Sequence, residues 1–187
     1  MKRIGVFCGS RFGTEEVYRR AAEAFAETLL RRSLGLVYGG GNVGLMGVLA
    51  DTVMAGGGEV IGVIPERLRA REVAHQGITE LYVVDSMHQR KALIYHYADA
   101  IVALPGGIGT FDELFEALTW NQLGIHRRPC GLLNVAGYYD PLVAMIERTG
   151  DHGFTPRPEN LLATADDADD LLDELERRAE GPGSPTG

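Results

Sequence analysis

The stretch Ala100-Ile-Val-Ala-Leu-Pro-Gly-Gly-Ile-Gly-Thr-Phe-Asp-Glu113 passes from an unbroken apolar run through a glycine turn into an amphipathic pattern. Apolar residues without polar alternation read as a strand buried on both faces, here Ala100–Leu104. Pro105 and the glycines end it, and residues 111–123 carry a helical period. The same order recurs along the chain. Strands are expected at Arg3–Gly9, Leu34–Tyr38, Glu59–Ile64, Leu81–Asp85, Gly131–Val135 and Leu161–Ala163, and helices near 15–32, 44–56, 87–98, 139–152 and 166–179. Wholly apolar strands, each followed by a helix, mean a doubly wound, Rossmann-like α/β fold. Its parallel sheet has about seven strands, with helices on both faces and ligands at the carboxyl ends of the strands.

The chain has 187 residues, 45% apolar and 24% charged, a length that suits one domain at ~100–200 residues per domain. That domain is expected over residues 1–180, with 181–187 (GPGSPTG) a flexible tail. No apolar stretch approaches the ~20 residues of a membrane span, and the N-terminus reads as a strand rather than a signal peptide. Cys8 and Cys130 each sit in an apolar run, as buried thiols of a reducing cytoplasm do. Residues 166–180 account for −6 of the net charge of −8, so the rest of the chain is close to neutral. An acidic helix of this kind reads as a solvated face, and the basic stripe that a nucleic-acid polymer requires is missing. Sixteen arginines stand against two lysines, Lys2 and Lys91, which singles out Lys91.

Glycines gather at two strand ends, Tyr38-Gly-Gly-Gly-Asn-Val-Gly44 and Leu104-Pro-Gly-Gly-Ile-Gly-Thr110. They either make tight turns or let backbone N–H groups approach an anion at a helix N-terminus; two such loops at one sheet edge suggest a phosphate-bearing ligand. The first formally matches G-x-G-x-x-G at Gly39, Gly41 and Gly44. Its acid twenty residues on, Glu59, starts the next strand instead of ending it, which argues against NAD.

Thr110 to Glu113 is T-x-x-E, a capping box that would start a helix. Glu113 and Glu116, at i and i+3, place two carboxylates on one face beside the presumed anion site. That arrangement suits hydrolysis of a nucleotide next to its sugar. Ser86-Met-His-Gln89 is a second capping box, and it puts Arg90 and Lys91 near the start of a helix. Cations there oppose the helix dipole by roughly 0.3–1 kcal/mol each, so a carboxylate or a ligand phosphate should compensate them.

Pro105-Gly-Gly-Ile-Gly-Thr-Phe-Asp-Glu113 resembles PGGxGTxxE, the signature of the Lonely Guy family of cytokinin-activating phosphoribohydrolases, and Met87-His-Gln-Arg-Lys91 resembles its second motif, MHxRK. The similarity runs over roughly residues 4–155, through Cys8-Gly-Ser10, Gly44-Leu-Met-Gly47 and Thr119-Trp-Asn-Gln-Leu-Gly-Ile-His126. Gln89 and Asp112 depart mildly from the usual motif residues. The resemblance implies hydrolysis of the N-glycosidic bond of an adenosine 5′-monophosphate, N6-modified or not, to free base and ribose 5-phosphate. It places the family's catalytic pair on Arg90 and Glu113. The 5′-phosphate falls to the backbone of Gly106, Gly107, Ile108 and Gly109 and to Thr110. The adjoining Phe111 and Asp112, together with Glu72, Lys91 and Thr119, are implied as further substrate contacts. The resemblance also implies a homodimer without cofactor or metal.

Related folds include molybdenum-cofactor carriers, so a non-catalytic nucleotide or cofactor carrier is the rival reading. Such a protein would keep the glycine loops but need neither Arg90 nor Glu113. Lysine decarboxylation, a label also given to this family, would need pyridoxal phosphate on a lysine. Among the internal residues only Lys91 offers one. His75, His88, His96, His126 and His152 show no metal-ligand spacing and are expected at the surface or behind the site. Trp120 and Phe115 are expected as core or dimer contacts, and the charges of Gly124-Ile-His-Arg-Arg-Pro129 as solvated.

Overall fold

Strands without polar alternation must be covered on both faces, and the arrangement of elements does this. The computed structural model describes residues 1–155 and 161–181. Its strands are β1 (Arg3–Phe7), β2 (Gly35–Tyr38), β3 (Val60–Pro65), β4 (Glu80–Val84), β5 (Ala100–Ala103), β6 (Cys130–Leu133) and β7 (Ala163–Ala165). The helices are α1 (Glu16–Arg31), α2 (Gly44–Ala55), α3 (Met87–Tyr97), α4 (Ile108–Gln122), α5 (Asp140–Asp151) and α6 (Ala168–Ala179). The seven strands form one sheet in the order β4-β3-β2-β1-β5-β6-β7, every pair parallel. This is the expected doubly wound class. The expected tail, apart from Gly181, lies outside the described residues.

One face of the sheet carries α1, α2 and α6, whose Phe25, Leu29, Leu49, Val53, Leu171 and Leu172 pack on Ile4, Leu36 and Val102. The other carries α3, α4 and α5, whose Ile94, Leu114, Leu118 and Ile146 pack on Phe7, Val37, Ile101 and Leu132. Each such side chain, fully buried, contributes about 1.5–3 kcal/mol relative to exposure. The acidic face of α6 is more than a solvated surface. Asp169 bonds Arg31 at 2.5 Å and Arg32 at 2.9 Å, and Asp173 bonds Arg32 at 2.7 Å. The acids thus meet the last turn of α1 and the residue that follows it. No helix among the described residues is long and apolar enough to cross a membrane.

From β1 the chain builds outward to β2 on one side, and β5 lies on the other. The carboxyl ends of β1 and β5 therefore mark the topological switch point, where open parallel sheets form their ligand crevice.

Candidate active site

Three loops meet at that edge. Gly9, just past β1, donates its N–H to the Pro105 carbonyl at 3.0 Å, and its own carbonyl accepts from Leu45 N–H at 3.0 Å. Gly44 has φ +55°, and a Cβ there would run into the Ser10–Arg11 backbone, so this close approach needs glycine. The loop after β5 is tied down by Tyr138, whose hydroxyl donates to the Gly106 carbonyl at 2.5 Å.

The capping box expected at Thr110 and Glu113 is not formed. α4 starts at Ile108 with Gly107 as its N-cap, and no side chain caps it. Thr110 is buried in the first turn and Glu113 lies in the second. Gly109, which disfavours a helix by about 0.8–1.0 kcal/mol relative to Ala, conceals this start in the sequence. The first-turn N–H groups have no intrahelical acceptor. Gly107, Ile108 and Gly109 are exposed, and nothing stands within 4 Å of a Cβ built at either glycine. An uncapped helix N-terminus with open space above it, at the end of β5, is suited to an anion.

α3 supplies the cations. Ser86 caps it, its Oγ accepting from Gln89 N–H at 3.2 Å, while Gln89 Oε1 accepts from Asp85 N–H at 2.8 Å. The expected box therefore forms, its return bond shifted by one residue. Arg90, only 4% exposed, donates from Nη2 to the Gly39 carbonyl at 2.9 Å and to Glu72 Oε2 at 3.0 Å. A Cβ on Gly39 would overlap this guanidinium. Glu72 is held by its backbone: its carbonyl accepts from Asn42 N–H at 2.9 Å, and Gly41 bridges Ala74. The Arg90 Nε is buried with no hydrogen-bond partner. Lys91, 5% exposed, donates to Asp112 Oδ2 at 3.1 Å and also to Glu116 Oε2. Carboxylates thus compensate both cations that oppose the α3 dipole.

Glu113 is half-buried as a residue, and its surroundings push its pKa up to about 7. Burial is the largest cause. The charge of Arg90 opposes it, Glu72 adds to it, Lys91 opposes it and Asp112 adds to it. Burial and the nearby Glu113 raise the Cys8 thiol well above its ordinary range, while Arg90 lowers it. A thiol raised in this way stays protonated and is a poor nucleophile.

The structure thus brings together Arg90, Glu113, Glu72 and the loop Gly106–Thr110. Phe111 packs edge-on against Tyr139, and Asp112, though exposed, is bonded to Lys91. Thr119 stands apart, exposed, its hydroxyl bonded to the Phe115 carbonyl at 2.7 Å. Sequence reading missed Tyr95, buried on α3, whose hydroxyl donates to the Glu113 carbonyl at 2.9 Å. Its only signal was a place one helical turn beyond Lys91. Of the five histidines, His75 and His126 are not at the surface: they are buried and bonded to Asp51 and Asn121. Arg128, expected in solvent, donates to the Ala98 carbonyl at 2.6 Å. Trp120 packs against Tyr95 and His126, whereas Phe115 is exposed. Among the described residues no group of three or more His, Cys, Asp or Glu side chains is arranged to hold a metal ion.

A family model described as "Possible lysine decarboxylase" matches residues 46–175. Two cytokinin riboside 5′-monophosphate phosphoribohydrolases of Arabidopsis thaliana are 48% and 49% identical over 176 residues, 94% of this chain and 83% and 81% of theirs. Among solved structures, the molybdenum cofactor carrier protein of Chlamydomonas reinhardtii superposes with a TM-score of 0.74 at 18% identity, over 96% of this chain and 99% of its own. A molybdenum cofactor binding protein of Rippkaea orientalis gives 0.69 at 20% identity, over 94% and 96%. At these identities the structural likeness concerns the fold alone.

Proposed function

The chain belongs to the Lonely Guy family, and from that premise we propose that it is a phosphoribohydrolase. It would split the N-glycosidic bond of an adenosine 5′-monophosphate, with or without an N6 substituent, to free base and ribose 5-phosphate. The observation that carries this reading is the pairing of Glu113, raised to about 7, with the immobilised Arg90 beside the uncapped start of α4.

The 5′-phosphate sits on the N–H groups of Ile108, Gly109 and Thr110, placing the ribose toward Glu113. The C1′–N bond breaks with its electron pair leaving on the base, and positive charge develops at C1′ as in other glycoside cleavages. Ionised Glu113 stabilises that charge and takes a proton from the water that attacks C1′; the departing base is protonated in turn. Arg90 is held by Glu72 and Gly39 and keeps Glu113 partly ionised despite burial.

Decarboxylation through pyridoxal phosphate does not fit these residues. A Schiff-base lysine needs a depressed pKa. Burial pulls Lys91 down, but its bonds to Glu116 and Asp112 outweigh this and hold it above its ordinary value. Lys2 lies at the opposite, amino end of β1. The carrier reading draws only on a shared fold.

We read the molecule as a homodimer, supported by exposed Phe115 and Leu123, which share a stripe of α4 and its end with Thr119, and by Ile125 just beyond. The free, buried thiols of Cys8 and Cys130 suit the reducing cytoplasm. The test is chromatography after incubation with AMP and with isopentenyladenosine 5′-monophosphate. Free base from the unaltered protein and none from Glu113→Gln is the expected result. Intact binding without release from either nucleotide would overturn the reading in favour of a carrier.

A further inference from the structure

Arg90, Lys91 and Tyr95 follow one another on α3, and all three bear on the turn of α4 that carries Glu113. Lys91 Nζ donates to Asp112 Oδ2 at 3.1 Å and to Glu116 Oε2, two carboxylates at i and i+4 that bracket Glu113 in sequence. Tyr95, one turn along from Lys91, donates its hydroxyl to the main-chain carbonyl of Glu113 itself at 2.9 Å. Both side chains are almost wholly buried. A buried ammonium with two carboxylates gains little stability over an apolar side chain of the same shape; what it supplies is a fixed register. Two of the three donors of Lys91 are thereby committed to protein carboxylates.

We propose that Lys91 and Tyr95 are positioning residues, which fasten the Glu113 turn of α4 to α3 so that Glu113 faces Arg90. This deepens the phosphoribohydrolase reading and rests on it. The fastening acts on geometry: the reacting carboxylate and the guanidinium come from different helices, and among the described residues these bonds are the polar contacts that join α3 to α4. Misplacement of about 1 Å at a reacting group lowers a rate by as much as ~10²-fold.

The test compares Lys91→Met, Lys91→Arg and Tyr95→Phe with the unaltered full-length protein. Lys91→Met is expected to lower kcat about 10–100-fold while KM for AMP stays within about threefold. Calorimetric binding of ribose 5-phosphate should be equally unchanged, and Lys91→Arg should recover part of kcat. Tyr95→Phe loses a single hydroxyl and should show a smaller fall in the same sense, which keeps the proposal testable if Lys91→Met does not fold. The acid limb of the pH profile should also move upward in Lys91→Met. Glu113 is faced by Arg90 and Lys91 from α3, Glu72 from the β3–β4 connection, Asp112 from its own helix and Cys8 from the loop just past β1, and the variant removes one of the two cations.

A KM raised tenfold or more with kcat intact would place Lys91 on the substrate and overturn the proposal. So would an unchanged kcat in both Lys91→Met and Tyr95→Phe. Failure of the unaltered protein to release base would overturn the hydrolase reading instead. Amide hydrogen exchange over residues 112–117 would then still read the fastening: faster exchange in Lys91→Met supports it, and unchanged exchange refutes it.

Discussion

Arg90 Nη2 stands 3.0 Å from Glu72 Oε2 and 2.9 Å from the Gly39 carbonyl, so a buried guanidinium is held by the connections that follow β2 and β3. The first glycine loop is therefore as much a seat for Arg90 as a place for a ligand, since a side chain at Gly39 would displace the guanidinium. Arg90 is immobilised before substrate arrives, as electrostatic preorganisation requires.

Removing Glu72 should be costly. Glu72→Gln leaves Arg90 buried without its counter-charge, and breaking such a pair destabilises by about 3–5 kcal/mol. Glu72 keeps some solvent contact, so the lower end of that range is expected. Its charge also raises Glu113, so the acid limb of the residual activity should shift to lower pH. Urea denaturation and a pH–rate profile read the two effects, and an unmoved denaturation midpoint would show that the ion pair is idle.

Turnover should follow the ionisation of Glu113. With its pKa near 7, kcat/KM should rise with pH through about 6–7 and level off above. Glu113→Gln should lose about 10²–10⁴-fold in rate and with it this limb. A limb that survives the substitution belongs to another group.

The same shift predicts a stability effect of opposite sense. A carboxyl raised from 4.5 to about 7 keeps in the native state a proton that the unfolded chain has released. Stability from this group is therefore present at low pH and declines as pH rises through about 4.5–7. Glu113→Gln removes the decline. At about pH 8 it should be more stable than the unaltered protein by on the order of 1–3 kcal/mol, allowing for the partial exposure of the residue, and near pH 4 the two should converge. Thermal melts at both pH values measure this. Equal melting temperatures at pH 8 would mean that burial does not destabilise the ionised form.

The sheet was legible because its strands are apolar without alternation, and a parallel sheet covered on both faces leaves that pattern in the sequence. Element boundaries other than the start of α4 lie within two residues of expectation. The site was legible in its motifs but not in its pairings. Nothing in the local spacing says that Lys91 will meet Asp112 and Glu116, or Arg90 meet Glu72, because those partners arrive through different crossovers. Thr110 and Glu113 carried the pattern of a cap, yet Gly107 is the N-cap and the helix starts at Ile108, three residues before its expected start. The sequence left His126 between the surface and a place behind the site, because its bond to Asn121 and its contacts with Tyr95 and Trp120 come from packing.

The open start of α4 provides a separation of stability from binding. At Gly106 a Cβ would collide with Thr110 Oγ1 and lie 2.9 Å from Gly9 N, so Gly106→Ala should disturb the fold and says little about ligand. Gly109 is different. It is the second residue of α4, is exposed, and a Cβ there meets nothing within 4 Å. Alanine in a helix is favoured over glycine by about 0.8–1.0 kcal/mol, so Gly109→Ala should raise the melting temperature. Its Cα–Cβ bond also tilts toward the helix N-terminus, which brings the methyl over the N–H groups assigned to the 5′-phosphate. KM for AMP should rise about tenfold or more, and inhibition by ribose 5-phosphate should weaken to match. A stabilised protein with unchanged KM would place the phosphate elsewhere on the sheet edge, because a substitution that improves the helix has no other route to poorer binding at this position.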